Sequence, residues 1–334
     1  MSLRPVVVTR RAPSWRALLP LALLLVTAAA AFATAAPAAK SAKKPVAHRV
    51  AARPTPPEWP LYQQLLDEHL WTTSEPGEPL ETRFNYEKFY DEPGRAERCA
   101  RIRSQFLSVD PQKLDAKHRL AWAIDFYNFM VIDQITDHLL IPGKKRQRWT
   151  TVPDVKLDGE DLFQHPLVRI DTTTYSLDEF EHHFVFSDYD RQSGQPPPKS
   201  LDPRAHFALV QGAVGSPPLQ QRAYRSDSLD LQLDRAVRAS LASPRHWKPV
   251  VGAHAVQVSP IFYRYAADFG GPSKFVAWAL PYVPKDRRGE IGAKSTVPPT
   301  TSQILWDWKI NQVTGWHYYE QMSQRPPGVP HDTT

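Results

Sequence analysis

The chain has 334 residues, a net charge of +6 at pH 7 and one cysteine, Cys99. Nine of its 41 basic residues and none of its acidic residues lie within residues 1–53, so the remainder carries a net charge of −3. The basic excess belongs to the N-terminal segment and does not indicate nucleic-acid binding. A single cysteine excludes an internal disulfide and any metal site built from several cysteines.

The N-terminal residues 1–35 have the pattern of an export signal. Four arginines precede an apolar run with the core ALLPLALLLVTAAAAFA, and alanines follow at positions 31, 33 and 35. A basic start, an apolar core and an A-x-A exit are typical of a secretory signal peptide, so we expect a periplasmic or secreted bacterial protein. The alternative is an uncleaved N-terminal anchor, since about 20 apolar residues span a bilayer. Membrane contact is expected only through this segment.

Three further segments are predicted after the signal. Residues 36–57 are rich in Ala, Lys and Pro and predict a flexible tether. Residues 58–325 are long enough to form one globular domain. Residues 326–334 are polar and predict a disordered tail.

Helices dominate the first half of the predicted domain. Apolar residues at helical spacing predict helices over 59–71, 94–108 and 111–140. Later, Ser176 and Glu179 form the pattern of a capping box, which predicts a helix to about residue 185. Further helices are predicted over 227–242, 260–268 and 272–282.

Strands are predicted only in the second half. They lie over 167–175, 206–210 and 304–310, with a hairpin around 250–258. Helices first and scattered strands later predict an α+β fold, in which N-terminal helices pack on a small mixed sheet within a single domain.

The central helix carries two polar residues in an otherwise apolar sequence, LAWAIDFYNFMVI. Asp125 and Asn128 are three residues apart and therefore share a face. A buried carboxylate must find a partner or bind a proton. The pair either clamps this helix to a loop or belongs to a ligand-binding or catalytic site.

A second candidate segment runs from Asp202 to residue 219 and reads DPRAHFALVQGAVGSPPL. His206 is the first residue of the predicted strand, and its side chain has either a structural, hydrogen-bonded role or a catalytic one. The small residues after the strand allow backbone amides to approach a ligand closely. Ser216 is a nucleophile only if a base lies nearby, and otherwise bonds to its own turn.

Two short segments complete the set of candidates. His182 and His183 are adjacent on the capped helix, so they face different directions and do not form a metal-binding pair. We expect no metal and no cofactor. Asp307 lies between Trp306 and Trp308, which in a strand would pack together on the opposite face.

These segments together resemble the family known as domain of unknown function 547. The resemblance covers about 118–311. It includes Tyr127 with Asn128, the SLDEFEH segment, HFALV with its GA turn and PPL ending, Tyr265 with DFG, and Asp307, Trp308 and Asn311. The family is defined as a domain rather than by a reaction, so the resemblance implies a fold family and no activity.

The chain departs from the family pattern in both central motifs. The family helix usually reads FWINLYN, whereas this chain has Ala123 for the tryptophan and Asp125 for the asparagine. The family's HFALV segment usually ends in a cysteine before the GA turn, and here that position is Gln211. A following serine is replaced by Gly215. Chemistry that depends on that cysteine in relatives is therefore not expected here.

Two functions from different classes remain open. The first is a cell-envelope protein that binds an unidentified ligand or partner. Its candidate binding residues are Asp202, Arg204, Gln211, Gly212, Ser216, His182 and Asn311. The second is a hydrolase or acyl-transfer enzyme, by distant analogy with papain-like and transglutaminase-like folds. Its candidate catalytic residues are Asp125, Asn128, His206 and Asp307. An open cleft lined by His206 and Asn128 would favour the enzyme, and burial of both would favour binding.

Overall fold

The computed structural model describes residues 58–73, 79–144, 147–186, 202–292 and 299–313. They lie within a compact unit that spans Pro54–Thr334. The predicted export signal, the tether at 36–57 and the tail at 326–334 lie outside the described residues. None of the helices in the described part of the chain is long and apolar enough to cross a membrane.

Helices and short strands alternate through the described residues, which confirms the predicted α+β class. The α-helices are α1 Pro60–His69, α2 Tyr86–Tyr90, α3 Arg95–Leu107, α4 Ala116–Asp137, α5 Leu177–Phe180, α6 Leu229–Ala242, α7 Pro260–Arg264 and α8 Phe275–Ala279. A π-helix, Glu181–Val185, continues α5 directly. The 3-10 helices are Pro111–Lys113, Val152–Asp154, Pro203–Phe207, Pro272–Lys274, Lys285–Arg287 and Gly289–Gly292.

The strands form three hairpins and one mixed sheet. They are β1 Leu70–Thr73, β2 Glu81–Phe84, β3 Lys156–Leu157, β4 Glu160–Asp161, β5 Val168–Ile170, β6 Thr173–Tyr175, β7 Trp247–Pro249, β8 Ala255–Val258 and β9 Thr300–Gln303. Each of the first six pairs antiparallel with its neighbour in sequence. In the last sheet β7 is antiparallel and β9 parallel to the central strand β8.

Helix α4 lies at the centre of the larger hydrophobic cluster. The Asp115 carboxylate caps its first turn by accepting hydrogen bonds from the N–H groups of Lys117 and His118. Every residue from 121 to 136 is buried, as expected for a helix that is apolar on all sides. Burying each large apolar side chain stabilises the fold by about 1.5–3 kcal/mol. The helix is shorter than the predicted span 111–140, because residues Pro111–Lys113 form a separate 3-10 turn before it.

A second hydrophobic cluster lies between α6, the β7–β8 pair, α7 and α8. The fully buried rings of Phe207, Trp247 and Phe262 belong to it. The Trp247 Nε1 donates to the carbonyl oxygen of Arg287 over 3.0 Å, which satisfies its buried N–H.

The predicted strand over 206–210 is wrong. Residues Pro203–Phe207 instead form a 3-10 helix. Asp202 caps it by accepting from the N–H of Arg204, and Pro203 occupies its first position with a preset φ. These local signals override the apolar run that predicts a strand.

Two further strand predictions need correction. Residues 167–175 form the β5–β6 hairpin rather than one strand, because the chain turns at Asp171, which has φ of 53°. The final strand is Thr300–Gln303, and the predicted strand over 304–310 is wrong. That segment makes only isolated bridges, from Lys309 to Thr151 and from residue 310 to 213.

Candidate functional site

The predicted GA turn bonds to the chain's own C-terminal segment. The N–H of Asn311 donates to the carbonyl oxygen of Gly212 over 2.8 Å, and the N–H of Gly215 donates to that of Asp307 over 2.8 Å. A Cβ at Gly212 would lie 2.1 Å from Ile135 Cδ1, and its φ of +69° also favours glycine. The turn therefore serves close packing against α4 and pairing with residues 307–311.

The two C-terminal candidates also make internal bonds. The Asn311 carboxamide donates to the carbonyl oxygen of Thr82 over 2.9 Å. The Asp307 carboxylate accepts from the N–H two residues along, over 3.0 Å. The rings of Trp306 and Trp308 lie against each other with centroids 5.8 Å apart, although the segment is not a regular strand.

The Ser216 hydroxyl is committed to its own turn. Its Oγ accepts from the N–H of Gln211 over 3.1 Å and from the N–H of Ala213 over 3.3 Å. His246 contacts the Ser216 carbonyl oxygen rather than the hydroxyl, over 3.4 Å. Burial lowers the pKa of His246 to about 4. The pair therefore does not have the hydroxyl–imidazole contact of an activated serine.

Asn128 clamps α4 to the segment that follows His206. Its Nδ2 donates to the carbonyl oxygen of Ala208 over 3.0 Å, and its Oδ1 accepts from the N–H of Val210 over 2.9 Å. The side chain is 1% exposed. Both ends of the carboxamide are thus used inside the protein, where they satisfy backbone groups.

Asp125 is a buried carboxyl with one unsatisfied oxygen. It is 1% exposed, and its Oδ2 has no hydrogen-bond partner among the described residues. Burial raises its pKa well above the usual range, although a hydrogen bond from the backbone of Tyr224 acts in the opposite direction. Burial therefore favours the protonated form of this carboxyl.

His206 is sealed inside the protein. Its ring is stacked on Tyr265 with centroids 3.9 Å apart and lies 4.1 Å from the ring of Phe186. Its Nε2 lies 2.9 Å from Asp268 Oδ2. Since Asn128 is buried too, neither residue lines an open cleft.

Arg204 belongs to an acidic network on the surface. Its guanidinium donates to the carboxylates of Asp202, Asp230 and Asp234. This network connects the 3-10 helix Pro203–Phe207 to α6. With three carboxylates as partners, the guanidinium is committed to the protein rather than to a ligand.

A polar cleft of about 220 Å³ lies beside α5 and the π-helix. Its lining residues are Tyr127, Pro153, Asp161, Phe163, Gln164, Asp178, Glu181, Gln211, Arg264 and Trp308. Four of them, Pro153, Gln164, Arg264 and Trp308, are exposed, so the cleft opens to solvent. Among the candidate residues taken from the sequence, only Gln211 lines it.

Two acidic side chains in this polar cleft have raised pKa values. Glu181 is 2% exposed and accepts a hydrogen bond from the Tyr265 hydroxyl, and burial raises its pKa. Burial also raises the pKa of the half-buried Asp178, which accepts from the carboxamide of Gln164. The positive charge of Arg264 opposes both shifts. These carboxyls therefore release their protons at higher pH than ordinary ones.

Two other polar groups of the cleft are available to a ligand. The Tyr127 side chain is fully buried, and its hydroxyl has no hydrogen-bond partner among the described residues. Buried hydroxyls are nearly always paired, so this one calls for a partner. The half-buried Gln211 adds a carboxamide, whose Oε1 accepts from the Ser216 hydroxyl over 3.5 Å and whose two amide donors have no partner among the described residues.

Arg264 supplies the positive charge of the cleft. Its guanidinium lies over the ring of Tyr265, 5.4 Å from the centroid, as in a cation–π contact. Within the described part of the chain it makes no ion pair or hydrogen bond of its own. Its donors are therefore available at the cleft.

Within the described part of the chain, one group of possible metal ligands lies elsewhere, on the last residues of α1 and just after α2. The ligand atoms of Glu68, His69 and Glu92 lie within 4.8 Å of one another. However, Arg98 Nη1 lies 2.7 Å from Glu68 and 2.9 Å from Glu92, so a guanidinium already neutralises these carboxylates. Burial, helped by the charge of Lys88, lowers the pKa of His69 to about 4.

One family model matches this chain. It carries the description "Protein of unknown function, DUF547" and matches residues 111–240. The match supports the resemblance over that span and does not extend over 241–311. No curated protein and no solved structure was found to match the chain.

Four polar or charged residues of the cleft, Tyr127, Asp178, Glu181 and Arg264, are among the nine lining residues that were not predicted as site residues. Each lies within or next to a segment that carries the family resemblance. Tyr127 precedes Asn128, Asp178 and Glu181 belong to SLDEFEH, and Arg264 precedes Tyr265. That proximity to shared motifs is the signal that could have found them.

Proposed function

We propose that this is an exported cell-envelope protein that binds a small ligand in the polar cleft and does not use covalent catalysis there. The observation that carries the proposal is the lining of the cleft. It combines the unpartnered hydroxyl of Tyr127, the carboxamide of Gln211 and the uncommitted guanidinium of Arg264. A concave site with a few convergent polar groups is the usual form of a ligand site.

The nucleophile that acyl transfer requires is missing from this lining. A carboxamide, Gln211, stands where the resembling family usually has a cysteine. The chain's only cysteine, Cys99, is buried in α3, and burial raises the pKa of its thiol. A protonated and inaccessible thiol is a poor nucleophile. The hydrolase hypothesis therefore receives no support from the residues that line the cleft.

His206, the candidate general base of the hydrolase hypothesis, is also inaccessible to a substrate. A base must lie within hydrogen-bonding distance of the proton that it accepts. His206 is 3% exposed, lies between two aromatic rings and bonds to Asp268. Binding with the ligand left unchanged is the function that these contacts favour.

Export is the second part of the proposal and is supported by the sequence of residues 1–35. Expression of the full chain with cell fractionation and mass spectrometry tests it. We expect a shortened protein in the periplasm or medium, cleaved after an alanine between positions 31 and 35. Leu23→Arg interrupts the apolar run and should leave uncleaved protein inside the cell. Equal export of both forms contradicts the proposal.

A ligand panel with product analysis tests binding against catalysis. Amino acids, peptides, sugars and sugar acids are added to the protein, and thermal stability and ligand mass are measured. We expect at least one compound to raise the melting temperature and to remain chemically unchanged. Tyr127→Phe should reduce the shift. Tyr224→Phe, which removes an equally buried and unpartnered hydroxyl outside the cleft, should not. Turnover in excess of the protein, or equal effects of both variants, contradicts the proposal.

A further inference from the structure

We propose that the ligand of the polar cleft is a small zwitterion, either a free amino acid or the end of a short peptide. Its carboxylate would bind the Arg264 guanidinium, and its ammonium group would face the carboxylate of Asp178. This inference rests on the proposed function and adds the chemical class of the ligand.

The size of the cleft limits what can enter it. Its volume of about 220 Å³ is below the roughly 300–1,000 Å³ of typical small-molecule pockets. At about 30 Å³ for each water in the liquid, it holds the equivalent of about seven waters. It therefore accepts a small molecule or the end of a longer one.

Arg264 provides the site for a carboxylate. A guanidinium has five N–H donors in a planar fork that matches a carboxylate with two parallel hydrogen bonds. Arg204 is an example of an arginine whose donors are already used, since it bonds to three aspartates. Arg264, by contrast, is exposed, and among the described residues its guanidinium only stacks on Tyr265. An anionic group of the ligand would complete its hydrogen bonding.

Asp178 provides the opposite charge in the same cleft. It is half-buried, and among the described residues its side chain accepts a hydrogen bond only from the Gln164 carboxamide. It is close enough to Arg264 for the two charges to influence each other, yet no ion pair joins them. A neutral ligand that displaced water from both groups would leave both poorly compensated. A zwitterion compensates both groups when its carboxylate faces Arg264 and its ammonium group faces Asp178.

The remaining lining suits the rest of an amino acid or peptide. For a peptide group, the Tyr127 hydroxyl offers a donor and an acceptor, and the Gln211 carboxamide offers its amide donors, since its Oε1 accepts from Ser216. Phe163 and the exposed ring of Trp308 give an apolar wall for a side chain.

Calorimetric titration with dialanine in four end forms tests the inference. The forms are free dialanine, N-acetyl-dialanine, dialanine amide and the doubly capped compound. We expect free dialanine to bind, and removal of either charge to weaken binding at least about tenfold, as for loss of a charged hydrogen bond. Arg264→Gln should abolish the difference between dialanine and its amide. Asp178→Asn should abolish the difference between dialanine and its acetyl form.

Arg238→Gln is the matched control, because its guanidinium lies over Tyr282, 5.3 Å from the ring centroid, outside the cleft. It should change none of the four affinities. Equal affinities for the free and doubly capped forms overturn the inference. A second result also overturns the inference: a neutral sugar binds, dialanine does not, and Tyr127→Phe weakens the binding of the sugar. In that case the proposed binding function still stands. Failure of every panel compound to bind overturns both proposals.

Discussion

The substitution Asp125→Asn tests whether the buried carboxyl of α4 has a structural role. The side chain is 1% exposed, and its Oδ2 has no partner among the described residues. Burial raises the pKa of Asp125 well above that of an exposed aspartate. Asparagine has the same shape and can still accept the backbone hydrogen bond from Tyr224. Burial and the charge of Asp125 raise the pKa of both Tyr62 and Tyr224, so the asparagine amide would lie near their hydroxyls, which also lack partners among the described residues.

The magnitude follows from proton linkage. In the unfolded chain the aspartate has a pKa of about 3.9 and loses its proton above that pH. Because burial raises the pKa of this group in the folded protein, folding takes up a proton and stability falls as the pH rises above about 4. At pH 7 this costs at most about 4 kcal/mol of the free energy of unfolding. Asparagine carries no titrating proton and avoids this cost.

Urea unfolding of the parent and Asp125→Asn at pH 4, 5.5 and 7 measures the effect. The variant should be the more stable protein at pH 7, by up to about 4 kcal/mol, and the difference should shrink toward pH 4. A variant that is less stable at pH 7 than the parent, with the difference vanishing at pH 4, refutes the reasoning. That result would mean that the carboxylate is ionised and paired in the folded protein.

Three further predictions concern His246, Cys99 and the glycines of two turns. Burial lowers the pKa of His246 to about 4, so the unfolded chain binds the proton first as the pH falls below about 6.5. The contribution of His246 to stability should therefore decrease by about 3 kcal/mol between pH 6.5 and 4. In urea unfolding, the difference in stability between the parent and His246→Asn should change by about this amount over the range, and a difference that does not depend on pH would contradict the assignment. The thiol of Cys99 should react with a disulfide reagent only after unfolding, because it is buried and its pKa is raised; rapid labelling of the folded protein would be inconsistent with this. Gly252→Ala, at φ of +71° with open space around it, should cost about 1 kcal/mol, whereas Gly212→Ala should cost at least about 2 kcal/mol more because its Cβ would overlap Ile135. Equal losses of melting temperature for the two alanine variants would show that the turn at Gly212 has room for a Cβ atom, and would contradict this prediction.

The long helices were predictable because their signals are local. Helices α1, α3 and α6 match the predictions over 59–71, 94–108 and 227–242 within a few residues. Their apolar periodicity extends over several turns. The capping box of Ser176 and Glu179 also forms as predicted. The short segments were not predictable from apolar content alone. In the 206–210 segment, the cap at Asp202 and the proline after it determine a 3-10 helix.

The candidate site was only partly predictable, for a tertiary reason. Gln211 was recognised because it replaces a residue of a known pattern. Tyr127, Glu181 and Arg264 come from α4, the π-helix and α7 and meet only after folding. Single-sequence patterns do not report which faces of these elements converge. The polar residues that stand out in the sequence, Asn128 among them, satisfy backbone groups in the interior instead.

Chemical labelling of residue 211 tests most directly whether the cleft is an open ligand site. Gln211→Cys places a thiol among the lining residues, and buried Cys99 serves as the internal unreactive control. Iodoacetamide should label the new thiol, located by mass spectrometry. The panel compound that most stabilises the parent should slow labelling at saturation, and Arg264→Gln should remove that protection. An unreactive thiol, or a labelling rate unchanged by the saturating compound, would contradict ligand binding in the cleft.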